Sequence, residues 1–313
     1  MTPNSSKAKQ FLIVAAKLSI VAGAFYFIYS RLADDDFDWE VFSARLNEKL
    51  TVSNILLLLL LSFLNRFFEI LKWQNLVSWI KRISFGEATN QVLSALTVSI
   101  FTPGGIGEYG AKALFFPKNS ARKIVFLNLI SNGVQMILTV VFGIFGLLYF
   151  NAQYGVITTK TVAVLFGTFL VTTILSFVIK RFSIKGYSLE KLAKKIKVLP
   201  KEIHHRNIVL ATFRYLAFSH QYFLLFLIFD VHIPYLTLMA AITGVYFLAT
   251  AIPTFQFLDF AVKGSVAVYF FGLMGVNEWI PVLVTTLMWI LNVVLPVIIG
   301  SYYIMRFKSQ WKH

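Results

Sequence analysis

The 313-residue sequence contains no cysteine. That absence excludes disulfides, thiolate metal sites, iron–sulfur clusters and a cysteine nucleophile. Charge is scarce as well. Charged residues make up 14% of the chain, against about a quarter in a typical soluble domain. Acids are the rarer sign, 14 against 29 Lys and Arg, and there are only five histidines. No nucleophile–base pair and no cluster at metal-ligand spacing is visible. His204 and His205 stand in a basic stretch without acidic company and read as a solvated loop. No metal or cofactor is expected, and no catalytic constellation argues for an enzyme. A glycine–lysine phosphate loop of the Walker type is missing too, which argues against ATP drive within the chain.

What the sequence has in excess is hydrocarbon. Hydrophobic residues make up 58%, Phe alone occurs 32 times, and the mean hydropathy is +0.72. These values point to a membrane protein. A net charge of +15 would suggest nucleic acid in a soluble protein. In a chain this apolar it reports topology first, and no nucleic-acid partner is expected.

A helix needs about 20 mostly apolar residues to cross about 30 Å of hydrocarbon. Six segments qualify: 11–30, 51–72, 124–150, 161–180, 208–229 and 279–305. Two further apolar stretches are broken. The first, 89–116, is interrupted at Pro103-Gly104-Gly105-Ile106-Gly107, leaving arms over 91–102 and 108–116. The second, 236–273, breaks at Pro253. Each reads as a re-entrant helical hairpin or as two short spans, and either choice leaves the orientation unchanged. The expected fold is therefore all-α and integral to the membrane, a single domain of six transmembrane helices plus two re-entrant hairpins. Pro296 is expected to kink the last span.

With the N-terminus inside, 21 of the 29 basic residues fall on the cytoplasmic side and four outside. Both termini are expected in the cytoplasm. The first span reads as an uncleaved anchor. The long basic segment 183–206 carries Leu189, Leu192, Ile196 and Leu199 at helical spacing between lysines. It reads as an interfacial helix on the inner leaflet, serving either topology or lipid recognition.

The broken stretches resemble each other. Glu108-Tyr109-Gly110-Ala111-Lys112 matches Asp259-Phe260-Ala261-Val262-Lys263, and Arg66 matches Arg214, at offsets of 151 and 148 residues. Matched charges in apolar segments are costly coincidences, so a duplication is inferred, with repeats over 51–150 and 208–305. Three crossings separate Arg66 from Arg214, so the repeats are inverted in the membrane. Inverted repeats with broken helices are a transporter architecture with the substrate at their interface.

The candidate site residues follow from the charges left inside the membrane. Glu108 and Lys112 share a helix face, as do Asp259 and Lys263. They read either as local salt bridges or, with Arg66 and Arg214, as the surroundings of an anionic group such as a lipid phosphate. Gly104, Gly105 and Gly107 permit a close backbone approach to that anion, or a plain tight turn. Glu69, one turn after Arg66, reads as its ion-pair partner. His220 reads as a satisfied polar residue at a helix interface.

At these residues the chain resembles the flippase-like membrane domain of the lysylphosphatidylglycerol synthases, which also occurs as stand-alone proteins. The resemblance rests on Arg66 with Lys72-Trp73, on Pro103-Gly-Gly-Ile-Gly-Glu108 with a following base, and on Pro253 with Asp259. Many members place that base three residues after the acid and carry a second Pro-Gly-Gly; here Lys112 is four after Glu108, and the second hairpin has Phe255-Gln256-Phe257. The resemblance implies handling of an anionic phospholipid or polyprenyl-phosphate lipid in a bacterial inner membrane, by rocking of the repeats around a shared cavity. With only 306–313 after the last span, synthesis of the aminoacylated lipid is not expected of the chain alone. An integral-membrane lipid glycosyl- or phospho-transferase, or a lipid-binding scaffold for a separate soluble enzyme, remain alternatives.

Overall fold

The computed structural model describes residues 39–102, 104–156, 158, 160, 196–251, 259–307 and 311. Every secondary-structure element among them is helical. The expected spans 11–30 and 161–180, Pro103, Pro253 and most of the basic segment 183–206 lie outside the described residues.

Helix α1, Trp39–Lys49, precedes α2, Val52–Val77. Thr51 caps α2, its hydroxyl accepting the Asn54 N–H at 3.3 Å. Helix α3, Phe85–Ser99, begins on a reciprocal cap. The Glu87 N–H donates to Ser84 Oγ at 3.2 Å, and the Ser84 N–H donates to Glu87 Oε2 at 2.7 Å. Two satisfied end groups start the helix there, several residues before the arm expected from hydropathy at 91. Helix α4, Gly107–Ala113, is only seven residues long. Helix α5, Ala121–Tyr154, follows a 3₁₀ turn at Lys118–Ser120.

Helix α6, Lys201–Ile228, starts directly after Pro200. Residues 201–206, expected in the basic loop, therefore belong to the helix, because proline's fixed φ suits a helix start. Helices α7, Tyr235–Ala251, and α8, Asp259–Leu273, follow. The last stretch comprises α9, Trp279–Trp289, a π-helical turn at Ile290–Val294, and α10, Leu295–Arg306. A π turn stands immediately before Pro296, where a kink is expected.

Three stretches, Val52–Val77, Lys118–Tyr154 and Trp279–Arg306, are long and apolar enough to cross a membrane. They cover the expected spans 51–72, 124–150 and 279–305. Large apolar side chains such as Leu56, Phe63, Met136 and Phe145 stand exposed on two of them, as a lipid-facing surface requires. Helix α6, expected as a span over 208–229, has the length at 28 residues. Its polar content, including Arg214, His220 and Gln221, leaves it less apolar than the other three. Helices α3, α7 and α8 have 15, 17 and 15 residues. At a rise of about 1.5 Å per residue they reach roughly 22–25 Å, less than the hydrocarbon thickness.

Helix α2 packs along α6. The pair is antiparallel: Asn75 bonds to Ile203 O, Asn65 to Arg214 and Leu58 O to Gln221, so one number falls as the other rises. Two other large contacts join α5 to α7 and α10 to α3, and glycine makes both possible. A Cβ on Gly146 would lie 2.0 Å from Thr243 Oγ1 and 2.8 Å from Ala240 O; one on Gly300 would lie 2.3 Å from Leu93 O. Small residues at such crossings let backbones approach where no hydrophobic force drives helices together.

Replacing Gly300 by Ala forces the α3 and α10 backbones apart. The expected loss is about 1–3 kcal/mol or more, the range for overpacking. Thermal unfolding of the purified protein in detergent measures it. Gly110→Ala is the control: nothing lies within 4 Å of the added Cβ, and no loss is expected.

Candidate functional site

The site is built on the π turn. The Leu295 N–H donates to Ile290 O, five residues back. Leu291 O therefore loses its ordinary helical donor, and Pro296 has no N–H to offer either Leu291 O or Asn292 O. Helix α2 supplies what is missing. Ser62 Oγ donates to Leu291 O at 2.6 Å, and Arg66 Nη2 donates to Asn292 O at 2.7 Å. Ser62 and Arg66 are four residues apart, on one helix face.

Side-chain amides extend this clasp. Asn65 Nδ2 donates to Asn292 Oδ1 at 2.7 Å, and Asn292 Nδ2 donates to Gln221 Oε1 at 2.9 Å. Arg214 Nε donates to Asn65 Oδ1 at 3.1 Å. Asn65, Gln221 and Asn292 are all buried, where each unmet polar atom would be costly.

Glu69 does not pair with Arg66, as its spacing suggested. Its Oε2 lies 2.8 Å from Lys72 Nζ and 2.9 Å from Arg214 Nη1. The reason is that the Arg66 guanidinium is turned to the Asn292 carbonyl. Arg214 also donates to Gln135 Oε1 at 3.3 Å. Lys112 is fully buried. Its Nζ lies 2.5 Å from Glu108 Oε1, 2.8 Å from Asn128 Oδ1 and 4.4 Å from the centre of the Trp73 ring. Lys263 sits near two aromatic faces, 5.9 Å from the Phe218 ring centre and 5.8 Å from that of Tyr246. His220 bonds to Tyr235 Oη and Leu216 O, each at 2.9 Å.

These groups surround a cavity of about 240 Å³. Arg66, Arg214 and Lys263 line it, with Glu69 and Glu108. Lys72 and Lys112 lie directly behind the two carboxylates, so among the described residues the balance around the cavity is positive. Tyr215 Oη and Arg66 Nε belong to lining residues and have no hydrogen-bond partner among the described residues.

The structure thus brings four of the expected residues to one cavity: Arg66, Glu108, Arg214 and Lys263. Lys112 lies behind Glu108 rather than on the cavity wall. Gly104 and Gly105 form the turn before α4 at φ +56° and +70°. At Gly107 the N–H donates to Thr102 Oγ1 at 2.8 Å, and an added Cβ would lie 2.8 Å from the Thr102 methyl carbon. The three glycines serve the turn and are not among the lining residues. Asp259 opens α8 one turn before Lys263, and its side chain lies outside the described residues. Sequence reasoning missed Asn65, Gln135, Tyr215, Gln221 and Asn292. Their signal was an amide or hydroxyl within an apolar helix, and for Asn292 a proline four residues on.

Among the described residues no group of three or more His, Asp or Glu could hold a metal ion. The chain matches no family model, and no curated protein matches it.

Removing the Glu69 carboxylate leaves Lys72 and Arg214 without their counter-ion in a buried setting. Glu69→Leu is expected to cost about 3–5 kcal/mol. Adding Lys72→Met should recover part of that loss, because one uncompensated charge goes with it. A double-mutant cycle on thermal stability measures both effects.

Proposed function

We infer that the protein is a flippase-like membrane transporter for an anionic phospholipid or polyprenyl-phosphate lipid. The observation that carries this reading is the convergence of Arg66, Arg214 and Lys263 on one cavity inside an apolar helical bundle. Charges in such a setting are costly and mark a ligand or ion path. Arg guanidinium forks and a Lys point charge are suited to phosphate oxygens. Transfer chemistry is less well served. Glu69 is engaged by Lys72 and Arg214, and Glu108 by Lys112, so neither carboxylate stands ready as a base.

The inverted-repeat reading draws support from the packing. The order of α2, α3, α4 and α5 corresponds to α6, α7, α8 and the α9–α10 stretch. The α5–α7 contact has its counterpart in α10–α3. Arg66 reaches the π turn of the last long stretch at Asn292, and Arg214 reaches the long helix α5 at Gln135. The short helices α3, α4, α7 and α8 suit two re-entrant hairpins meeting at the repeat interface. The basic-residue distribution favours both termini in the cytoplasm, and the resemblance implies a bacterial inner membrane. A relationship to the membrane domain of lysylphosphatidylglycerol synthases is part of this proposal, resting on the residues quoted for the resemblance.

Reconstituted vesicles containing phosphatidylglycerol provide the test. Lys263→Gln is expected to lower headgroup translocation about tenfold, the equivalent of roughly 1.4 kcal/mol. Lys118→Gln, at an exposed position outside the cavity, should leave it unchanged. Unaltered translocation of every anionic lipid by folded Lys263→Gln and Arg214→Gln variants would sink the reading.

A further inference from the structure

The cationic cavity does not end at Lys263. Phe218, Tyr246, Lys263, Asn292 and Val293 also border a neck of about 40 Å³, whose other walls include Phe260 and Thr285. Phe260 and Thr285 in turn border a groove of about 360 Å³ between α8 and α9. That volume lies within the usual range for ligand pockets, about 300–1,000 Å³.

The groove has a different chemistry from the cavity. Small residues of α8, Ala261, Gly264 and Ser265, form one wall; Val282, Thr285 and Thr286 of α9 form the other. Every hydroxyl there donates back onto its own helix, and Thr285 Oγ1 also meets Tyr222 Oη of α6 at 2.8 Å. Ser265 Oγ donates to Ala261 O at 2.9 Å, Thr285 Oγ1 to Pro281 O at 2.7 Å, and Thr286 Oγ1 to Val282 O at 2.8 Å. Each donor is thereby satisfied within its helix, and the walls present methyl and methylene groups. An anion-binding chamber thus continues through a neck into a hydrocarbon-lined groove.

We propose that the α8–α9 groove holds an acyl chain of the anionic phospholipid whose headgroup occupies the cavity. A soluble anion would use the cavity alone; only a ligand with a charged end and a hydrocarbon end uses both. Lys263 stands at the boundary, bordering both the cavity and the neck, with its ammonium group near the Phe218 and Tyr246 rings. The proposal rests on the transport reading for the headgroup site and adds the path of the tail.

The test uses the full-length protein in nanodiscs with phosphatidylglycerol carrying a mid-chain diazirine. Photolysis of the wild type is expected to place adducts within 259–289, on the groove walls. Gly264→Phe fills the groove: an added Cβ there meets only Thr285 Cγ2, at 3.9 Å, so the backbone accepts it. That variant should lose these adducts at least tenfold and weaken phosphatidylglycerol binding, while binding of water-soluble glycerol phosphate stays unchanged. Gly264→Ala should behave as wild type. Adducts confined to other helices of the wild type overturn the proposal, and so does an equal loss of both ligands in a folded Gly264→Phe. The wild-type adduct map decides the matter alone if Gly264→Phe does not fold. The headgroup reading fails separately, if Lys263→Gln leaves glycerol phosphate binding unaltered.

Discussion

Two backbone carbonyls with no partner in their own helix organise this molecule. The π register and Pro296 leave Leu291 O and Asn292 O unmet in the middle of the last long helix. Buried in an apolar bundle, each would cost about 1–3 kcal/mol. Helix α2 meets them with a hydroxyl and a guanidinium one turn apart. The position of α2 against the π turn follows from that, and so does the direction of Arg66. Because Arg66 is turned to a carbonyl, Glu69 is left to Lys72 and Arg214. The Asn65–Asn292–Gln221 amides then join α6 to the same point. The cavity is the space left over when these polar groups have found one another.

The charges form two kinds of pairing, and the distinction bears on function. Lys72 and Lys112 are fully buried, each held by a carboxylate within its own helix. They neutralise the acids and steady the walls. Arg66, Arg214 and Lys263 border the cavity, Arg66 bonded to Asn292 O and Arg214 paired with Glu69 from a different helix. A buried ion pair is weak support for stability, since desolvation offsets much of the attraction.

Much of this was legible in the residue order. Hydropathy alone locates α2, α5 and the α9–α10 stretch, because a bilayer demands length and apolarity and little else. Of the matched pairs Arg66 with Arg214 and Lys112 with Lys263, three members line one cavity and Lys112 lies behind Glu108. Hydropathy is blind to caps, so the Ser84–Glu87 box shifted the start of α3 outside the expected arm. It is also blind to which carbonyls lose their donors. That loss depends on the π register, a tertiary outcome, and it redirected Arg66 away from Glu69. Asn65, Gln135, Gln221 and Asn292 escaped notice because uncharged amides leave little mark on a hydropathy profile.

The glycine crossings carry a mechanical consequence. Gly143 and Gly146 of α5 lock against α7, and Gly300 of α10 locks against α3. Each broken helix pair is thus bolted to the long helix of the opposite half of the chain. The halves are interlocked like clasped hands, and neither can swing as a rigid body without shearing both bolts. Large rocking of one half against the other, the motion that inverted repeats bring to mind, would therefore have to part both crossings.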